Sequence, residues 1–124
     1  MLLEEELTGT IIAAAIEVHR LVGPGLLESA YEKFLCHELR LRGLTVKHEV
    51  PIPVSYKGVS IDCGFRIDLL VNDKVIIELK AVERMHPIFE AQLITYLKLT
   101  GKRVGLIINF HVDVLTRGIV RRVV

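Results

Sequence analysis

The segment Val75-Ile76-Ile77-Glu78-Leu79-Lys80-Ala81-Val82 is fit for burial except at Glu78 and Lys80. Residues two apart on a strand share a face, so the carboxylate and the ammonium point the same way. A carboxylate in an apolar setting is costly unless it is neutralised or paired. Either that face opens to water or Glu78 meets something positive, with an ordinary charge pair to Lys80 as the plain alternative. Asp68 lies in the preceding apolar stretch, Phe65-Arg66-Ile67-Asp68-Leu69-Leu70, and the intervening turn decides whether it meets Glu78. A two-residue loop at Asn72-Asp73 pairs Val71 with Lys74 and sets Asp68 opposite Ile77. A three-residue loop, Asn72-Asp73-Lys74, pairs Val71 with Val75 and sets Asp68 opposite Glu78, and Arg66 opposite Lys80. Like charges opposed in that way destabilise a sheet unless a cation lies between them. Two carboxylates completed by water suit Mg2+ or Mn2+, which prefer oxygen ligands.

Other polar groups fall at helical spacing. Glu28 and Tyr31, three apart, share a face with Leu35, so Glu28 either turns inward toward a sheet or is an acid favoured by the first turn of its helix. Gln92 and Tyr96, four apart with Phe89 a turn before, are either polar edges of a packed helix or a second contribution to one site. His19 lies on the apolar face of Ile12 and Ile16, where a satisfied core histidine is the commoner outcome and a ligand the rarer one.

The elements that must position these groups follow from periodicity. Residues 8 to 22 repeat apolar side chains at helical spacing, and Gly23-Pro24-Gly25 breaks the chain. A second helix is expected from Leu26 to Arg42, ending at Gly43. From Leu44 the period becomes two: one strand through Val46 to Tyr56, a turn at Lys57-Gly58, a second from Val59 to Val71, and the third from Val75 to Val82. Pro87 starts a third helix that stops at Gly101, and Val104 to Asn109 and Ile119 to Val123 close as strands. The order α-α-β-β-β-α-β-β gives an α/β fold with a mixed sheet flanked by helices, because a strand–helix–strand crossover makes two strands parallel. Residues 1–124 are expected to form a single domain.

Composition narrows the class. Half of the 124 residues are apolar and a quarter charged, as in ordinary globular proteins, and no apolar run approaches the ~20 residues of a spanning helix. The acidic start, Glu4-Glu5-Glu6, is unlike the basic start of an export signal. Cys36 and Cys63 form no metal-type pair, so a reducing cytoplasm is the expected compartment. Residues 63–124 carry ten bases against six acids. Lys98, Lys102, Arg103 and Arg121 are either a solvated face or a patch that meets phosphates.

Together these residues resemble the GxxExxY proteins of the PD-(D/E)xK nuclease superfamily: Gly25, Glu28 and Tyr31 match the naming motif, and Asp68 followed by Glu78-Leu79-Lys80 matches the nuclease pattern. The resemblance implies a restriction-endonuclease-like core, with Asp68 and Glu78 binding Mg2+ helped by Glu28, and Lys80 at the attacking water or scissile phosphate. It implies that Gln92 and Tyr96 belong to the extra motif of an exonuclease branch, in which a histidine placed like His19 is a further metal ligand. The cysteines that hold an iron–sulfur cluster in that branch have no counterpart here. The expected activity is phosphodiester hydrolysis of nucleic acid, with DNA the expected substrate. The products would carry 5′-phosphate and 3′-hydroxyl ends. The rival readings are a binding module that keeps the fold without catalysis and a nuclease subunit that needs a partner. Monomer and homodimer both stay open.

Overall fold

A computed structural model describes residues 2–124. Helix α1 (Glu5–Val22) buries Ile11, Ala14, Ala15 and Val18 along one stripe. It begins a turn before the apolar periodicity does, because Glu5 and Glu6 suit the positive end of a helix. It stops at Gly23, whose N–H donates to the His19 carbonyl. Helix α2 (Glu28–Leu41) buries Tyr31, Leu35, Cys36 and Leu39. Helix α3 (Pro87–Thr100) starts where His86 Nδ1 accepts from the Ile88 N–H and ends at Gly101, left-handed at φ 71°.

The strands are β1 (Val46–Pro51), β2 (Val54–Tyr56), β3 (Val59–Ile61), β4 (Arg66–Val71), β5 (Val75–Lys80), β6 (Val104–Asn109) and β7 (Ile119–Val123). A five-stranded sheet runs β1-β4-β5-β6-β7. β5 and β6 are parallel and the other neighbours antiparallel, as the α3 crossover requires. Helices α1 and α2 cover one face, over Leu69, Val71, Ile77, Leu106 and Ile108. Helix α3 covers the other with Leu93, Tyr96 and Leu97, over Ile67, Leu70, Ile76 and Ile107. The mixed sheet between helices is the expected restriction-endonuclease-like arrangement.

The two long strands expected between Val46 and Val71 are each divided. Among the described residues β2 and β3 pair only with each other, while the β1–β4 ladder continues to the bond from Ile52 N–H to the Phe65 carbonyl. Between the two ladders Pro53 faces Asp62-Cys63-Gly64, one residue against three. Pro53 has no N–H to offer. Gly64 adopts φ 72°, and its N–H donates to Asp62 Oδ1. The hairpin therefore leaves the main sheet. β5 ends two residues earlier than its apolar run, for a specific reason. Asn109, buried in β6, takes over Val82: its Oδ1 accepts from the Val82 N–H (3.1 Å) and its Nδ2 donates to the Val82 carbonyl (2.9 Å).

Candidate metal and nucleic-acid site

The turn after β4 is the three-residue one. Asn72 and Asp73 both adopt left-handed φ values of 51° and 55°, which these residue types tolerate, and Val71 pairs with Val75. Continued by one pair beyond Leu69 and Ile77, that register brings Asp68 opposite Glu78. The backbone ladder stops there, and a side chain replaces it: the Leu79 N–H donates to Asp68 Oδ2 (2.8 Å). The other neighbour of Asp68 is also displaced. Glu49 on β1 stands across from it with φ 51°, and the pair leaves a gap in the β1–β4 ladder. Ile67 packs on the α3 face and Leu69 on the α1–α2 face, so β4 rotates at Asp68. The carboxylate consequently sits in a seam of the sheet and belongs to neither face.

Two groups of acids converge on this seam. From the α3 side comes Glu78, 5% exposed, with Oε1 buried and without a hydrogen-bond partner among the described residues. Burial first, then the negative charge of Asp68, pushes its carboxyl up to about 9. From the α2 side come Glu32 and Glu49, whose oxygens lie with one from Asp68 inside a span of 4.8 Å. Burial, and then the approach of Glu49 and Asp68, pushes Glu32 up to about 7. A cleft of about 550 Å³ opens over Glu28, Glu32, Glu49 and Asp68, walled by the start of α2 and by Leu79 and Ala81. Glu28 is tied to its floor, accepting from the Ala81 N–H at 3.3 Å.

These donors fit a hard divalent cation. They are all oxygen, they are mutually repulsive, and one is a buried carboxyl with an idle oxygen that must otherwise hold a proton. Lys80 shares the face of Glu78 and lays its Nζ 4.5 Å from the centroid of Phe89 on α3. Tyr96, buried on α3, has its hydroxyl pKa raised by burial and then by the charges of Glu78 and Asp68. Gln92 is exposed one turn closer to the start of α3.

Other candidates are placed elsewhere. Tyr31 is fully buried, stacked on Phe110 (4.3 Å between centroids), and its hydroxyl donates to the Gly23 carbonyl and accepts from the Leu26 N–H. It thereby pins the turn that delivers Glu28. His19 lies against Phe110 and donates from Nε2 to the Val112 carbonyl (2.8 Å), outside the acidic cleft. Lys98, Lys102 and Arg103 lie before β6 begins, at the end of the sheet opposite Lys80, while Arg121 lies midway along the edge strand β7, opposite Leu106. Lys102 pairs with Asp73 (3.1 Å), Arg103 donates to the Val124 carbonyl, Arg121 donates to the Leu3 carbonyl, and Lys98 is exposed in the last turn of α3.

Glu32 and Glu49 were not singled out in the sequence. Glu32 carries a signal in retrospect, lying one helical turn after Glu28. Glu49 carries none, since its position depends on a local backbone distortion.

Among the described residues no helix is long and apolar enough to cross a membrane. No curated protein and no solved structure matches the chain. The family model described as the PD-(D/E)XK nuclease superfamily matches residues 5–123. That span runs through every helix and strand that builds the seam, and by it the chain belongs to the PD-(D/E)XK nuclease superfamily.

Proposed function

We propose that the protein is a metal-dependent nuclease that hydrolyses phosphodiester bonds in DNA. The observation that carries this reading is the Asp68 carboxylate held on the Leu79 N–H, beside the buried Glu78, whose Oε1 has no hydrogen-bond partner among the described residues. Asp68, Glu78 and Glu28 would hold Mg2+ or Mn2+, and Glu32 and Glu49 add the oxygens gathered around Asp68. When bound, the cation supplies Lewis-acid activation of water and neutralises phosphate charge. The chain's own contribution is placement. Glu28 is fixed by Ala81 and by the Tyr31-pinned turn, and the Asn109 clamp on Val82 holds the strand end that carries Lys80. Lys80 offers a cation for the charge developing on phosphate oxygens. Tyr96 closes the α3 side of Glu78. Gly25, Glu28 and Tyr31 support a place in the GxxExxY branch.

The test is cleavage of plasmid, linear duplex and single-stranded DNA, and of RNA, with Mg2+ or Mn2+ and then with chelator. Metal-dependent cleavage lost in Lys80→Ala and in Asp68→Asn is the expected result. Cleavage that survives unchanged in both variants would assign the activity to a contaminant and sink the proposal. A chain silent alone but active after adding a cellular fraction would favour the partner-dependent reading.

A further inference from the structure

The acidic cleft continues, through Ser29, Glu32 and Glu49, into a groove of about 410 Å³ between α2 and β1. Away from the acids the groove is walled by Lys33, His37 and Arg40, with His48 on the facing strand. Lys33, His37 and Arg40 recur at four and three residues, so they form one stripe along α2. No ion pair or side-chain hydrogen bond among the described residues engages Lys33 or His37. Arg40 spends one N–H on the Val46 carbonyl (2.9 Å) and keeps its remaining donors. The contrast with two carboxy-terminal bases is direct: Lys102 and Arg103 are engaged at the far end of the sheet.

We infer that this groove is the track for one strand of DNA, held by its phosphates as it leaves the acidic cleft; the inference rests on the nuclease reading. Charge changes sign along the path as such a substrate needs, with carboxylates where a cation would sit and, beyond the His48–Glu32 contact (3.9 Å), Lys33 and the remaining donors of Arg40. From Lys33 to Arg40 the helix rises ~10 Å, so the stripe is long enough to meet more than one successive phosphate of a strand. Its floor at Cys36 is buried and apolar, which suits the sugar of the strand.

The test is fluorescence anisotropy with a labelled oligothymidylate of about a dozen nucleotides, in Mg2+, on a Lys80→Ala background that prevents cleavage. Adding Lys33→Ala and Arg40→Ala should weaken binding on the order of tenfold and reduce the slope of log K against log salt by about 1.4, at ~0.7 per lost phosphate contact. Adding Lys102→Ala and Arg103→Ala instead should change neither, and thermal unfolding confirms that both variants fold. Three results overturn the inference: no binding by the Lys80→Ala parent, equal binding and slope in the Lys33/Arg40 variant, or an equal loss in the far-end variant. Tighter binding of oligouridylate or of a short duplex also overturns it. The two readings separate cleanly. Loss of binding in the groove variant without any wild-type cleavage leaves the track standing and removes the catalysis. Wild-type cleavage with an indifferent groove variant does the reverse.

Discussion

Replacing Glu78 by Gln should stabilise the metal-free protein, and by an amount that grows with pH. In the unfolded chain this carboxyl titrates at its ordinary 4.5, whereas in the fold it is pushed up to about 9 by burial and by Asp68. A raised folded value means that the group's contribution to stability is complete below pH 4.5 and is lost as pH rises toward 9. At pH 7 folding must drive a proton onto a group that would otherwise ionise, across about 2.5 pH units at ~1.36 kcal/mol each, so it costs about 3 kcal/mol. Glutamine has the same shape and no proton to take up. At ~4 °C per kcal/mol for a domain of this size, Glu78→Gln should raise Tm by about 10 °C at pH 7 in chelator. The gap should close as pH approaches 4.5. The assay is thermal unfolding followed by far-ultraviolet circular dichroism between pH 4.5 and 9. Adding Mn2+ should raise the Tm of the wild type more than that of the variant, because a cation replaces the proton only on the carboxylate. A variant less stable than wild type at pH 8, or a gap that stays constant with pH, would show that Glu78 ionises freely in the fold. The argument that it needs a cation would then fail.

Two further substitutions test the supports of the site. Tyr31→Phe keeps the stack on Phe110 but removes the hydroxyl that joins the Gly23 carbonyl to the Leu26 N–H. It should cost about 1–2 kcal/mol in urea unfolding and lower cleavage at concentrations where the protein remains folded; an unchanged urea midpoint would reject the pin. Gly105→Ala places a Cβ 2.6 Å from Leu93 Cδ1, in the buried contact between β6 and α3. Overpacking there should cost about 1–3 kcal/mol, read as a lower Tm, and wild-type stability would show that α3 can yield.

The parts of the fold that were legible are those in which one residue type has one physical reason to be where it is. Asn72 and Asp73 tolerate left-handed backbone, so a hairpin there was readable, and the spacing of Asp68 and Glu78 across three loop residues was compatible with the register that forms. Pro87 and Gly101 marked the ends of α3 because one presets a helical φ and the other reverses it. The division of the long strands was not legible. Alternation reports which face a residue takes, and Val54, Val59 and Ile61 alternate equally well whether they join the sheet or only each other.

The candidate site divides along the same line. Glu78 and Lys80 stood out because charges interrupt an apolar strand, a contradiction visible without coordinates. Glu32 looks ordinary on a polar helix, and Glu49 ordinary between His48 and Val50. What makes them neighbours of Asp68 is the rotation of β4 at Asp68 and the left-handed turn of the chain at Glu49. Both distortions lie where the Asp68 carboxylate takes the Leu79 N–H in place of a backbone carbonyl. A sheet with its ladder intact would keep alternate side chains on opposite faces and could not gather acids from α2 and α3 around one point. The break in hydrogen bonding at Asp68 is therefore what allows carboxylates from both sides of the sheet to converge, and no count of periodicity contains it.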